Sequence, residues 1–174
     1  MIRGDLVTLR TIRESDIDTL VDLICDLENR GDYVLLDLPS QVGIRQRFNQ
    51  DGFLGSDEST LVICVADKIV GTGSFMRAGI HDGLELGYAV FDETDRNKGY
   101  ATDALSSLVK FLFGTQNINR LQVSIMPGNS ASKRVAEKCG FQFEGNLRGA
   151  IYHRGVYQDL ELYSLLRTEV NERL

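Results

Sequence analysis

The chain has 174 residues, 43% of them hydrophobic, and a formal net charge of -6. That length suits one core, so a single domain over residues 1–174 is expected, and no stretch nears the eighteen or so apolar residues that a bilayer-crossing helix needs. An acid excess argues against nucleic acid as a partner, because backbone phosphates require a dense basic face, and it favours a cationic ligand. Cys25, Cys64 and Cys139 each sit in apolar surroundings, which reads as reduced thiols and a cytoplasmic protein. His81 and His153 stand apart from any ligand-spaced cluster, so no metal is expected.

In chain order, residues 4–10 predict a first strand. Ser15 with Asp18 three residues on predicts a capped helix whose apolar face is Leu20, Leu23, Ile24 and Leu27. The stretch from Asp26 to Asp37 breaks that pattern. Ser40 is placed to cap a second helix to about Asn49, and Asp51, Gly52, Gly55 and Asp57 mark a loop. Runs at Leu61–Ala66 and Ile69–Met76 predict a hairpin turning at Asp67-Lys68, and His81-Asp82-Gly83 is a second turn.

Leu84, Leu86, Tyr88 and Val90 then alternate as a strand does, whereas Ala101, Ala104, Leu105, Leu108, Val109 and Leu112 follow helical spacing. Arg96-Asn97-Lys98-Gly99-Tyr100-Ala101 joins the two. Gly99 permits close approach to the backbone, and the open N–H groups of a first helical turn lie at the positive end of its dipole, so a diphosphate fits there. An ordinary helix start with solvated Arg96 and Lys98 has the same pattern. Leu121, Val123 and Ile125 give a further strand aimed at Asn129. A second helix follows, stopped by Gly140, and Phe141–Glu144 and Val156–Leu166 supply the last antiparallel strands before a charged tail expected to fray after Arg167. Arg96, Lys98, Lys133 and Arg134 gather at the starts of these two helices, where they either face phosphate or balance Asp92, Glu93, Asp95 and Glu137.

Arg-x-x-Gly-x-Ala after a strand, followed by Asn129-Ser130-Ala131-Ser132 and closed by Lys138-Cys139-Gly140-Phe141, resembles the Gcn5-related N-acetyltransferases, the GNAT superfamily. Gly4-Asp5-Leu6-Val7-Thr8-Leu9-Arg10, Glu85-Leu86-Gly87-Tyr88, Glu144-Gly145-Asn146-Leu147-Arg148 and Asp159…Tyr163 are similar to the RimJ/RimL-type ribosomal-protein branch. The resemblance implies a mixed α/β (α+β) GNAT fold: a mostly antiparallel twisted sheet of about seven strands, about four helices, and a splay between the strands of Tyr88 and Val123. It implies acetyl-CoA as the cofactor, threaded through that gap, and an acetyl group passed directly to an amine acceptor in a ternary complex. The acceptor is a protein N-terminal α-amine or a small amine; a polyamine or antibiotic acetyltransferase and a non-catalytic acyl-CoA sensor stay open. Homodimerisation is a family expectation.

The resemblance also assigns residues. A main-chain N–H at a bulge within Tyr88, Ala89, Val90 and Phe91 meets the thioester oxygen, the turn residues 96–101 with Lys133 hold the diphosphate, and Asn129 binds the pantetheine amides. Glu85, the ionisable side chain within its strand, is the candidate base or, on the plainer reading, a structural hydrogen-bonding group. Many relatives carry a Tyr seven residues after the Asn; here that position is Ala136, so Ser132 is the candidate proton donor, unless it caps the helix. The acceptor is expected between Asp26–Asp37 and Gly149–Tyr157, with Asp26, Glu28, Asp32 and Asp37 drawing in a cation and Tyr33 or Tyr152 as a wall. Cys139 reads as core.

Overall fold

The computed structural model describes residues 1–26, 31–34, 40–79 and 82–170. Leu27, Glu28, Asp37 and His81, singled out above, lie outside the described residues. The N-terminal strand divides into β1 (Ile2–Arg3) and β2 (Thr8–Thr11). Between them the amides of Asp5, Leu6 and Val7 donate to the Asp103 carboxylate at 3.0, 2.7 and 2.8 Å, which diverts the chain from an extended path.

Asp16, not Ser15, organises the next turn. Its carboxylate accepts from the Arg13 amide at 2.7 Å and from both terminal nitrogens of Arg10 at 2.6 and 3.0 Å, and α1 (Ile17–Cys25) starts from it. Ser40 does cap α2 (Gln41–Asp51), its hydroxyl accepting from the Gly43 amide at 2.9 Å. β3 (Glu58–Val65) and β4 (Lys68–Arg77) form the expected hairpin, turning at Ala66-Asp67, one residue earlier than the local pattern predicts. β5 (Gly83–Val90) leads through a single 3-10 turn to α3 (Tyr100–Thr115). β6 (Arg120–Ile125) leads to α4 (Ser130–Lys138), which Gly140 ends with a φ of 88°. β7 (Gln142–His153) runs far beyond Glu144 and turns at Arg154-Gly155 into β8 (Val156–Leu166). The segment from Arg167 is anchored and not frayed as far as Val170, because the Arg167 guanidinium donates to the carbonyls of Phe113, Gln116 and Ile118.

Among the described residues eight strands form one sheet in the order β1-β2-β3-β4-β5-β6-β8-β7. Every neighbouring pair is antiparallel except β5 and β6, which run parallel and pair at Gly83–Arg120, Leu84–Leu121 and Glu85–Gln122. Beyond Glu85 and Gln122 these two strands part. Alternation along β3 sends Ile63 into one core with Leu105, Leu108 and Leu112 of α3, and Val62 and Cys64 into another with Ile17, Leu20 and Ile44 of α1 and α2. With both faces of the sheet covered, the gap between β5 and β6 is held open by rigid elements.

Candidate active site

The gap opens into a cleft of about 1030 Å³. One wall is β5, whose pairing with β4 is regular through Val90, so the bulge expected in residues 88–91 is not present. Free amides arise there by another route. The Phe91 amide donates to the Val70 carbonyl at 3.0 Å on the β4 side, and strand alternation therefore turns the amides of Leu86, Tyr88 and Val90 toward the gap that β6 has left. Val90 and Ala89 line the cleft; the Phe91 side chain instead packs with the core beneath α1 and α2.

The turn before α3 closes the second side. Gly99 is the residue that begins the helix and has a φ of 85°, a left-handed conformation that any Cβ strains, and a Cβ there would lie 3.2 Å from Leu6 Cδ1. The helical ladder begins with the Asp103 amide donating to the Gly99 carbonyl at 3.0 Å, so the amides of Tyr100, Ala101 and Thr102 open onto the cleft without a helical partner. Asn97 lines the same wall. The two cations of the turn are otherwise engaged. Arg96 donates to the carbonyls of Val90 and Phe91 at 3.3 and 2.8 Å, tying the turn to the end of β5. Lys98 does not reach the cleft: with Lys68 it holds the buried Asp95 carboxylate, at 3.2 and 2.6 Å, and its ammonium stands over the Tyr100 ring.

The start of α4 is the opposite wall. Asn129 Oδ1 accepts from the Ser132 amide at 3.1 Å, so Asn129 is the helix cap and the Ser132 hydroxyl is not spent on capping. Both residues line the cleft. Tyr88 reaches across the gap and donates from its phenol to the Ser132 carbonyl at 3.0 Å, and burial pushes that phenol up to about 12, so it stays protonated. Lys133 turns away to pair with Glu161 at 2.7 Å, leaving Arg134 and Lys138 as the α4 cations that border the cleft. Sequence reasoning places Arg134 at a helix start without assigning it to the site, and it misses Lys138 and Thr102. Ala136 is fully buried, so position 136 offers packing where many relatives have a phenol. Cys139 is buried as well, donates weakly to the Thr102 carbonyl at 3.5 Å, and burial pushes its thiol up to about 12, which removes it as a nucleophile.

Glu85 stands where the strands part, half-buried, and accepts from Gln122 Nε2 at 3.0 Å. Gln122 is the partner that sequence reasoning misses, detectable only as the polar residue alternating with Leu121 and Val123. Asp32 and Tyr33 line the same cleft, and a Cβ on Gly128 would lie 3.1 Å from the Tyr33 hydroxyl, so the loop that carries them packs against the approach to α4. His153 donates from Nε2 to the Asp32 carbonyl at 2.7 Å and Arg154 pairs with its carboxylate at 3.0 Å, clasping the β7–β8 hairpin to that loop. Tyr152 is not brought into the cleft. Alternation puts Ile151 inward and Tyr152 outward, where it is 61% exposed and meets Tyr157 edge-on.

A parted pair of parallel strands, open helix-start amides on one side and a carboxylate at the apex make a cleft that can take a long ligand with an anionic end. The model of the acetyltransferase (GNAT) domain matches residues 7–142. The chain belongs to the GNAT acetyltransferases. This GNAT domain is 36% identical to the putative ribosomal N-acetyltransferase YdaF of Bacillus subtilis (strain 168) over 49% of this chain and 46% of that protein. Against the curated relatives that it matches in part, it spans about half their length, 56% for the uncharacterized N-acetyltransferase YoaA of the same organism. RimL, a ribosomal alpha-N-protein acetyltransferase solved in complex with coenzyme A, has the same fold with a TM-score of 0.81 at 23% identity, covering 94% of this chain and 95% of that one. Spermidine N-acetyltransferase from Vibrio cholerae, solved with CoA and spermine, superposes with a TM-score of 0.83 at 19% identity, covering 96% and 99%. At those identities the likeness speaks for the fold alone.

Proposed function

We propose that this GNAT domain transfers an acetyl group from acetyl-CoA to a primary amine, directly and within a ternary complex. The observation that carries the reading is the parting of β5 and β6 just after Glu85, with three open amides at the start of α3 on one side of the resulting cleft. The residues fit the donor. Amides at Tyr100, Ala101 and Thr102 suit a diphosphate, Arg134 adds positive charge nearby, and Val123 and Ile125 give an apolar floor for a pantetheine arm. When bound, acetyl-CoA supplies an acyl group activated as a thioester.

This chain's residues supply the rest. Strand amides at Leu86, Tyr88 and Val90 offer hydrogen bonds to an oxygen that gains negative charge during transfer. Glu85 takes the proton that the acceptor amine must lose, and the uncommitted Ser132 hydroxyl, on the opposite wall, gives one to the leaving sulfur. The inert Cys139 thiol leaves no cysteine on this wall for an acyl-enzyme route.

A peptide N-terminus is the favoured acceptor, since an α-amine loses its proton near 7.7–8.0 whereas an alkylamine does so near 10.4 and asks more of one carboxylate. Of Asp32 and Glu85, the described carboxylates lining the cleft on the expected acceptor side, Asp32 is already paired with Arg154, an arrangement that suits a single ammonium better than a polyamine. The test is CoA release with alanine-, serine- and methionine-initiated peptides alongside spermidine and an aminoglycoside. Turnover confined to peptides is expected, and Glu85→Gln should lower kcat about a hundredfold with unchanged CoA affinity. Turnover unaffected by both Glu85→Gln and Ser132→Ala would overturn the assignment of Glu85 as base and Ser132 as acid.

A further inference from the structure

Glu85, Gln122, Ser164 and Gln142 lie in register across β5, β6, β8 and β7, so one polar line crosses four strands from the cleft to the edge of the sheet. Hydrogen bonds through Arg120 and Glu144 connect its first three members, whereas Gln142 donates to Glu169. Gln122 Nε2 donates to Glu85 Oε2 at 3.0 Å, while Gln122 Oε1 accepts from Arg120 Nε at 3.3 Å. Arg120 in turn grips Glu144 with two bonds of 2.6 Å, and the Ser164 hydroxyl donates to the same carboxylate at 2.6 Å.

An unconstrained glutamine amide can present either oxygen or nitrogen, and oxygen toward Glu85 would repel it. Arg120 is a donor only, so it takes the amide oxygen and leaves the NH2 group for Glu85. Glu144 fixes Arg120 by a two-pronged pair whose geometry a lysine could not reproduce.

We propose that Gln122, oriented by Arg120 and Glu144, is the positioning residue for Glu85, holding its carboxylate at the apex of the gap where the acceptor amine must lose its proton. The inference rests on Glu85 as the base. On the neighbouring strands Glu85 stands opposite Met76 of β4 and Gln122 of β6, with Arg120 and Glu144 behind Gln122, while Asp32 and Tyr33 line the same cleft and the acid of that loop is paired with Arg154. Gln122 is therefore the donor whose loss the carboxylate should register.

Carbon-13 NMR of the glutamate carboxylates, with the Glu85 resonance assigned from Glu85→Gln, tests this without any acceptor. Removing the donor frees the carboxylate to turn, so in Gln122→Met the Glu85 carboxylate resonance at fixed pH should shift and broaden. Arg120→Lys, which keeps Gln122 and frees its amide, should shift it by less. The kcat for an alanine-initiated peptide should fall about tenfold in Gln122→Met, while KM for acetyl-CoA stays within about twofold. An identical Glu85 resonance in wild type and both variants would overturn the inference. A shifted resonance with wild-type turnover in Glu85→Gln would instead remove the base and leave the positioning intact.

Discussion

At the scale of single residues, the charges that decide the site are those already committed to a partner. Lys98 and Lys133 have the sequence positions of phosphate ligands, yet Asp95 and Glu161 hold them; Asp95, three residues before Lys98, is within reach of local spacing, whereas Glu161 is not. Glu144 shows how strong such commitment can be. Arg120 first, then Ser164, holds its carboxyl at about 2 against an ordinary 4.5. Because the folded value is depressed, this stabilisation is complete above about pH 4.5 and disappears as pH falls toward 2. With the Glu144 side chain 39% exposed, solvent screening limits the effect to about 1 kcal/mol. Glu144→Gln should therefore lower the melting temperature at pH 7 by about 3 °C, a gap that closes as a series of melts approaches pH 2. A constant gap at every pH would refute the ion pair as its source.

At the scale of elements, local signals succeed where the stabilising partner is local. Ser40 and Gly43, three residues apart, make the start of α2 readable, and the stripe from Ala104 to Leu112 makes α3 readable. The break between β1 and β2 is not, because its cause is a carboxylate 98 residues away in sequence from Asp5. β7 escapes for a different reason: it is an edge strand, exposed along most of its length and twice irregular in register, so it lacks the alternation that marks a half-buried strand. The same irregularity hides from the sequence which face Tyr152 occupies. The Asp103 clamp carries its own prediction. A Cβ on Gly4 would fall 2.3 Å from Asp103 Oδ2, so Gly4→Ala should push the N-terminal loop off the first turn of α3. Hydrogen exchange should then quicken at Asp5, Leu6 and Val7 with stability lower by about 1–2 kcal/mol, whereas unchanged protection would mean that the clamp is dispensable.

At the scale of the molecule, two cores on opposite faces of one sheet keep the β5–β6 split from collapsing, and the cleft is a consequence of topology more than of any one side chain. The sequence points to the turn, the two helices and Glu85, since glycine, caps and alternation encode them. The open strand amides carry no side-chain signature, and Gln122 becomes meaningful only once β6 is placed beside β5. Everything functional depends on the open amides at the start of α3 receiving a diphosphate. Calorimetric titration of CoA into wild type and Gly99→Val tests that most directly. The wild type should bind with micromolar affinity, and the variant, strained at a φ of 85° and crowded against Leu6, should lose at least tenfold while remaining folded. No heat from CoA at millimolar concentration, or equal affinity in the two proteins, would contradict the account.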